Sequence, residues 1–395
     1  MFYLNQLGMI CPLGENHAEI SRRLFAGDSG VVMTPRYSSG RAPEQDLALG
    51  CVEAVLPDIS GLPLDQRSRN NQLALAALAQ IRPQVDAAIQ QFGADRVAIV
   101  LGTSTSGIAQ SEAAFRYRLA NGEFPADFGY GQQEMASPAA TLASVLGVTG
   151  PAYVHSSACA SSSKAMASAA RLIKMGLCDA VLTGGVDSLC AFTVAGFTAL
   201  ESVSVARCNP FSANRNGINI GEGAALFLMS KAEAIVSLRG WGESSDGYHI
   251  SAPDPSGAGA RSAMEQALAR AGVTPQQIDY INLHGTATVQ NDAMEGRAVA
   301  AMFADHVALS STKPFTGHAL GAAGAVEAGL CWLAMQDNNP QGRLPPHLWD
   351  GVSDPGLPQL NLLPIGARLG QPLRLVLSNS FAFGGANASL LLGRE

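Results

Sequence analysis

The chain has 395 residues, a formal net charge of −7, and 47% hydrophobic against 14% charged residues, which points to a large, deeply buried α/β protein or two domains and argues against nucleic acid as a general partner. The seven cysteines show no C-x-x-C pair and no metal-ligand spacing, so reduced thiols without structural disulfides are expected. No signal-peptide core opens the chain and no apolar run reaches the roughly 20 residues of a membrane span, so a cytoplasmic protein is expected.

The opening reads as a strand, a loop with Gly and Pro, and a helix over 18–26 that stops before GDSG. The polar stretch 34–65 reads as a surface excursion. Helical periodicity returns over 71–81, with Pro83 expected to start a new helix. RVAIVLG (96–102) is continuous and β-branched, as in a parallel strand covered on both faces. Residues 103–150 read as a less regular insertion with TSTSGI, a helical piece at 112–120 and a loop at 127–137.

YVHSSACASSSKAM (153–166) places Cys159 where a strand hands over to a helix whose apolar residues recur at 165, 169 and 172. Unpaired N–H groups at such a helix start favour a thiolate, and small neighbours leave room for a carbonyl; a buried structural cysteine is the plain alternative. DAVLTGG (179–185) reads as the next strand of a βαβ unit.

From about residue 236 the pattern restarts. Helix ARSAMEQALARAG precedes strand DYINLHG, helix NDAMEGRAVAAMF precedes strand VALSST, an Ala/Gly-rich helix follows His318, and paired strands LRLVLSNS and ASLLL flank FAFGGAN. VHSSACASSSKAMASA and LSSTKPFTGHALGAAGAVEA share one plan, which suggests two related halves, 1–235 with the cysteine and 236–395 with two histidines. His284 and His318 both lie in glycine-flanked loops after strands. Each alone could be a structural hydrogen-bonding residue; with Cys159 they could form a nucleophilic site in which imidazole helps generate the thiolate and donates to an oxyanion.

LGMICPLG, NPFSANRNGINIGEGAA, NLHGTATVQND, STKPFTGHALGAAGAVEA and SNSFAFGGANASLLL, in that order around the Cys159 stretch, resemble the 3-oxoacyl-(acyl carrier protein) synthases, condensing enzymes of thiolase-like fold. The resemblance covers nearly the whole chain. It implies two related α/β halves in α-β-α-β-α layers, and an acyltransferase that joins a malonyl unit, with loss of CO₂, to an acyl chain on Cys159. It assigns His284 and His318 to the active site, with Lys313 beside them and Glu295 and Glu327 as supporting carboxylates, a buried ion network that orients the loops being the alternative for these last three. Phe383 would gate the acyl pocket and share an oxyanion hole with the Cys159 N–H, and Thr286 and Thr288 would contact the phosphopantetheine arm, with hydrogen bonding within their loop as the alternative.

The resemblance further implies no metal or redox cofactor, an acyl carrier protein as partner, and dimerisation through PAYVHSS with an identical or a second ketosynthase-like chain. Arg67, Arg69, Arg116 and Arg118 are candidates for carrier docking, with ordinary surface charge as the alternative. Two positions depart from the family pattern: Asn216 replaces an acid in RNG, and Ser212 stands where an acid is common after PF. The short loop between Leu200 and Asn209 and the small, polar TSTSGI favour a specialised pathway such as polyene assembly over bulk fatty-acid synthesis. A chain-length-determining partner subunit is the alternative function. A degradative thiolase would need a second cysteine near the C-terminus, and none follows Cys331.

Overall fold

Each half builds a five-stranded sheet from apolar runs, and the computed structural model describes residues 1–37, 46–303, 305 and 307–395. The strands in chain order are β1 (Phe2–Ile10), β2 (Val31–Thr34), β3 (Leu47–Gly50), β4 (Val97–Gly102), β5 (Ala152–His155), β6 (Ala180–Asp187), β7 (Gly223–Ser230), β8 (Val236–Ser245), β9 (Tyr280–Asn282), β10 (Ala308–Ser310), β11 (Leu375–Phe381) and β12 (Ala386–Arg394). The helices are α1 (His17–Ala26), α2 (Arg69–Phe92), α3 (Ile108–Asn121), α4 (Ser137–Leu146), α5 (Ser161–Lys174), α6 (Ala191–Ala199), α7 (Ala258–Ala271), α8 (Val289–Phe303), α9 (Lys313–Thr316) and α10 (Ala323–Ala334).

One half is ordered β5-β4-β6-β7-β1 and the other β10-β9-β11-β12-β8. Numbered from its own first strand, each half has the order 3-2-4-5-1. The halves join where Phe2 and Tyr3 of β1 face Leu238 and Ser237 of β8. The anticipated strand at 96–102 is β4, buried at every position and parallel to both β5 and β6.

Three apolar clusters define the layers. α2 and α4 cover the outer face of the first sheet. α7 and α8 cover the outer face of the second. α5 and α10 lie between the sheets in the largest cluster, which completes the α-β-α-β-α arrangement of a thiolase-like fold.

The two central helices approach closely at their starts. Ala325 N donates to Ser162 Oγ at 2.9 Å, and Ser163 Oγ lies 2.9 Å from Ser380 Oγ. A Cβ at Gly324 would lie 2.1 Å from Ser163 Oγ and 2.9 Å from Ser380 Oγ, so any larger residue must displace these hydroxyls.

Two expectations are corrected. Pro83 does not start a helix; it lies inside α2, whose buried stripe of Leu73, Ala77, Ile81 and Val85 continues past it and outweighs the missing hydrogen bond. The stretch 34–65, apart from 38–45, which lies outside the described residues, is not wholly a surface excursion: β2 and β3 pair as a hairpin and every β3 residue is buried. Among the described residues no helix is long and apolar enough to cross a membrane.

Candidate active site

Cys159 sits between β5 and α5, as its sequence context predicts. Ala158 before it has φ +47°, a left-handed conformation that costs a non-glycine residue energy and turns the cysteine inward. Ser161 braces the turn, donating from Oγ to Ala158 O at 2.6 Å and accepting from Ser157 N at 2.8 Å.

The thiol is only 5% exposed, and the expectation of a depressed pKa is overturned. Burial pushes it up to about 11, against the pull of Lys313 and of the backbone N–H groups of Phe383 and Cys159. Desolvation of a thiolate outweighs the helix-start N–H groups here.

His318 follows Gly317, whose φ of +68° makes the turn ahead of α10. Its backbone is clamped by the 219–221 segment: His318 N donates to Asn219 O at 2.6 Å, and Gly221 N donates to His318 O at 2.9 Å. The clamp leaves His318 Nε2 3.1 Å from Cys159 Sγ, while Nδ1 is buried without a hydrogen-bond partner among the described residues.

His284 follows β9 in a loop held by Glu295, whose carboxylate accepts from His284 N at 2.8 Å and Gly285 N at 2.7 Å. Lys313 Nζ lies 3.3 Å from His284 Nδ1 and pairs with Glu327, all three side chains being buried. An ammonium has only donors, so Nδ1 must accept and the His284 proton must sit on Nε2. Burial first, and then Lys313, hold both imidazoles well below the ordinary histidine range, so both are neutral at pH 7. Their rings meet edge to face at 5.3 Å.

Phe383 follows β11, half-buried, with its ring 5.6 Å from that of Phe197 on α6. Phe383, Thr286 and Thr288 line the same pocket as Cys159, His284 and His318, and the two threonine hydroxyls bond each other at 2.9 Å. The sulfur and the two imidazoles offer three ligand atoms within 4.8 Å, a set that could seat a metal ion. The Lys313 ammonium beside them and the high thiol pKa both oppose a dication.

Residues 7–234 match the family description "Beta-ketoacyl synthase, N-terminal domain" and residues 235–348 match "Beta-ketoacyl synthase, C-terminal domain". The chain belongs to the beta-ketoacyl synthase family. Among curated relatives, the 3-oxoacyl-(acyl-carrier-protein) synthase 2 of Coxiella burnetii is 31% identical, the alignment covering 98% of this chain and 97% of that protein. Nodulation protein E of a Rhizobium species (strain N33) is 33% identical over 97% of this chain and 96% of its own length. Among solved structures, the complex of ketosynthase ApeO with its chain length factor ApeC from Xenorhabdus doucetiae holds a chain 43% identical to this one, with TM-score 0.92 and coverage of 100% and 98%. The chain is thus a beta-ketoacyl synthase, a condensing acyltransferase.

Within this beta-ketoacyl synthase the four candidate docking arginines differ. Arg69, partly exposed, donates to the buried Glu222 from Nε at 2.9 Å and Nη2 at 2.6 Å. Arg67 is half-buried and donates to Leu62 O, Arg116 pairs with Glu112 on its own helix, and Arg118 stacks over Phe124. The departure at Ser212 is compensated: its hydroxyl donates to Asp350 at 2.8 Å, so a carboxylate still reaches this loop, and Arg215 pairs with Asp354 at 2.5 Å. Asn216 is exposed.

Three buried residues of this synthase escaped the sequence reading. Asp292 accepts from Phe211 N and Ala287 N, and His347 joins Ser311 N to Pro210 O. Asp187 ends the all-buried strand β6. An acid closing an apolar run was the available signal for Asp187, and Asp292 closes the quoted motif NLHGTATVQND; nothing local marks His347.

Proposed function

We propose that Cys159 is the acyl-accepting nucleophile, with His318 as its proton partner and His284 as the donor to the malonyl thioester oxygen. The observation that carries this reading is the paired geometry of Nε2 on Sγ at 3.1 Å and Lys313 on His284 Nδ1 at 3.3 Å. In the first stage the Cys159 proton passes to His318, sulfur bonds to the acyl carbonyl, the carrier C–S bond breaks and the proton goes on to the carrier thiolate. The backbone N–H groups of Cys159 and Phe383 hold the oxyanion.

In the second stage the malonyl C–C bond breaks, CO₂ leaves and the enolate oxygen is held by His284 Nε2–H, with His318 beside it. A neutral donor serves best, because the charge it stabilises appears only in the transition state. The enolate carbon attacks the acyl-cysteine, and a proton from water restores the thiol. These steps balance with no metal or redox cofactor.

Thr286 and Thr288 take the phosphopantetheine arm of an acyl carrier protein, and Phe383 opens to admit it. The partner is a second ketosynthase-like subunit docked on the open edge of β5; the solved chain length factor complex supports a heterodimer, and with it a specialised lipid pathway. The enzyme works in the cytoplasm.

Intact mass spectrometry of the protein with acyl- and malonyl-carrier thioesters, with Cys159→Ala as control, tests the scheme. Cys159-dependent acylation followed by a product two carbons longer is expected. No acylation at Cys159 would sink it, and acylation without elongation would transfer the condensing role to an assembly with another subunit.

A further inference from the structure

Asp187 is fully buried at the carboxyl end of β6, and the scheme above gives it no step. Its carboxylate accepts from Thr103 Oγ1 at 2.6 Å, Ser104 N at 2.8 Å, and Thr105 N and Oγ1 at 2.9 Å each. It also accepts from Gly321 N at 2.6 Å. The first four donors belong to the loop after β4 in the N-terminal half; the last belongs to the C-terminal half, three residues beyond His318. Every contact brings a hydrogen to the acid, a set that suits a carboxylate and opposes an amide nitrogen.

The links run on to the reacting groups. Ser104 Oγ reaches Ala158 O, immediately before Cys159, at 3.4 Å. On the other side Leu320, between His318 and Gly321, has φ +47°, as strained as Ala158. The junction is also tight, since a Cβ at Gly321 would lie 2.5 Å from Ser104 Oγ and 2.8 Å from Asp187 Oδ2. Two strained turns, one carrying the sulfur and one the imidazole, therefore converge on one acid.

We propose that Asp187 is a positioning residue that holds the Cys159 and His318 turns in register across the two halves, keeping Sγ and Nε2 at 3.1 Å. The inference rests on the roles proposed for those two groups. A merely structural acid would alter how much protein folds; a positioning acid alters how each folded site behaves.

Asp187→Asn keeps the shape and sets an amide among donors, and Thr105→Val removes one donor while leaving the acid. For each, the rate of Cys159 alkylation by iodoacetamide is followed by peptide mass against pH, and acyl transfer from an acyl-carrier thioester is measured per alkylatable Cys159. In Asp187→Asn, kcat per site should fall about 100-fold, the scale of an ångström-sized misplacement, with KM nearly unchanged and the alkylation profile displaced. Thr105→Val should show a smaller loss in the same direction. Wild-type kcat per site and a superimposable alkylation profile in Asp187→Asn would overturn the proposal; if that variant does not fold, the same result in Thr105→Val would do so. Should the wild-type chain transfer no acyl group, the functional assignment fails, and the alkylation profiles still decide for Asp187.

Discussion

Cys159 sits at the mouth of a helix, yet burial outweighs the local N–H groups and holds its thiol up at about 11. Alkylation of Cys159 by iodoacetamide should therefore keep rising beyond pH 9, where an exposed thiol would already level off; a plateau near pH 7 would mean a resting thiolate-imidazolium pair instead. Lys313 has two separable effects. Lys313→Met leaves Glu327 as an unpaired buried charge and should cost about 3–5 kcal/mol in denaturant unfolding, while Lys313→Met with Glu327→Leu should recover much of that loss. Malonyl decarboxylation should stay low in both variants, because nothing then fixes the His284 proton on Nε2; recovery of decarboxylation in the double variant would reduce Lys313 to a structural role. The Cys159, His284, His318 and Lys313 set was legible because each residue lies in a long ordered motif. Asp187 was not, since its donors, on the loop after β4 and at Gly321, are distant in sequence, nor was the role of Asp292, since its bond from Phe211 N spans 81 residues; the thiol pKa differs from the local expectation because burial depth leaves no local mark.

At the scale of elements, the site depends on how closely α5 and α10 can start beside each other. Gly324→Val would drive a branched side chain into Ser163 and Ser380, and overpacking of this kind costs about 1–3 kcal/mol. The melting temperature should fall, and acyl transfer per folded molecule should fall with it; unchanged transfer would show that the helices reseat without moving Cys159 or His318. Strands with strong apolar runs, such as β4 and β6, could be read directly. β7 is as fully buried as those two, but its start, Gly223 to Ala225, merges with the glycine-rich stretch before it and blurs the strand boundary; α6 leaves no stripe to read, because Val194 alone of its nine residues is buried. The continuity of α2 through Pro83 shows the reverse case, in which a packed face prevails over a local breaker.

At the scale of the molecule, the echo between the two cysteine- and histidine-bearing stretches reflects a shared 3-2-4-5-1 sheet order that brings equivalent loops to one place. The arrangement buries acids beneath those loops, and this couples stability to pH. Burial raises Glu295 from 4.5 to about 7 and Asp292 from 3.8 to about 6, so the folded chain retains protons that the unfolded chain has already released. Between those values the folded state binds more protons, and stability must fall as pH rises; the contribution is complete below the unfolded values and lost above the folded ones. Glu295 alone accounts for roughly 3 kcal/mol across that window. Denaturant unfolding of the wild type and Glu295→Gln at pH 5, 6, 7 and 8 measures it, because carboxylates with lowered pKa values, such as Asp350, titrate below this range and Asp292, which titrates within it, is present in both proteins and largely cancels in the difference. The variant should lose relative stability at pH 5 and gain it by pH 8. Parallel curves would mean that the hydrogen bonds from His284 N and Gly285 N keep Glu295 ionised throughout, so that the loop carrying His284 is held by a permanent charge.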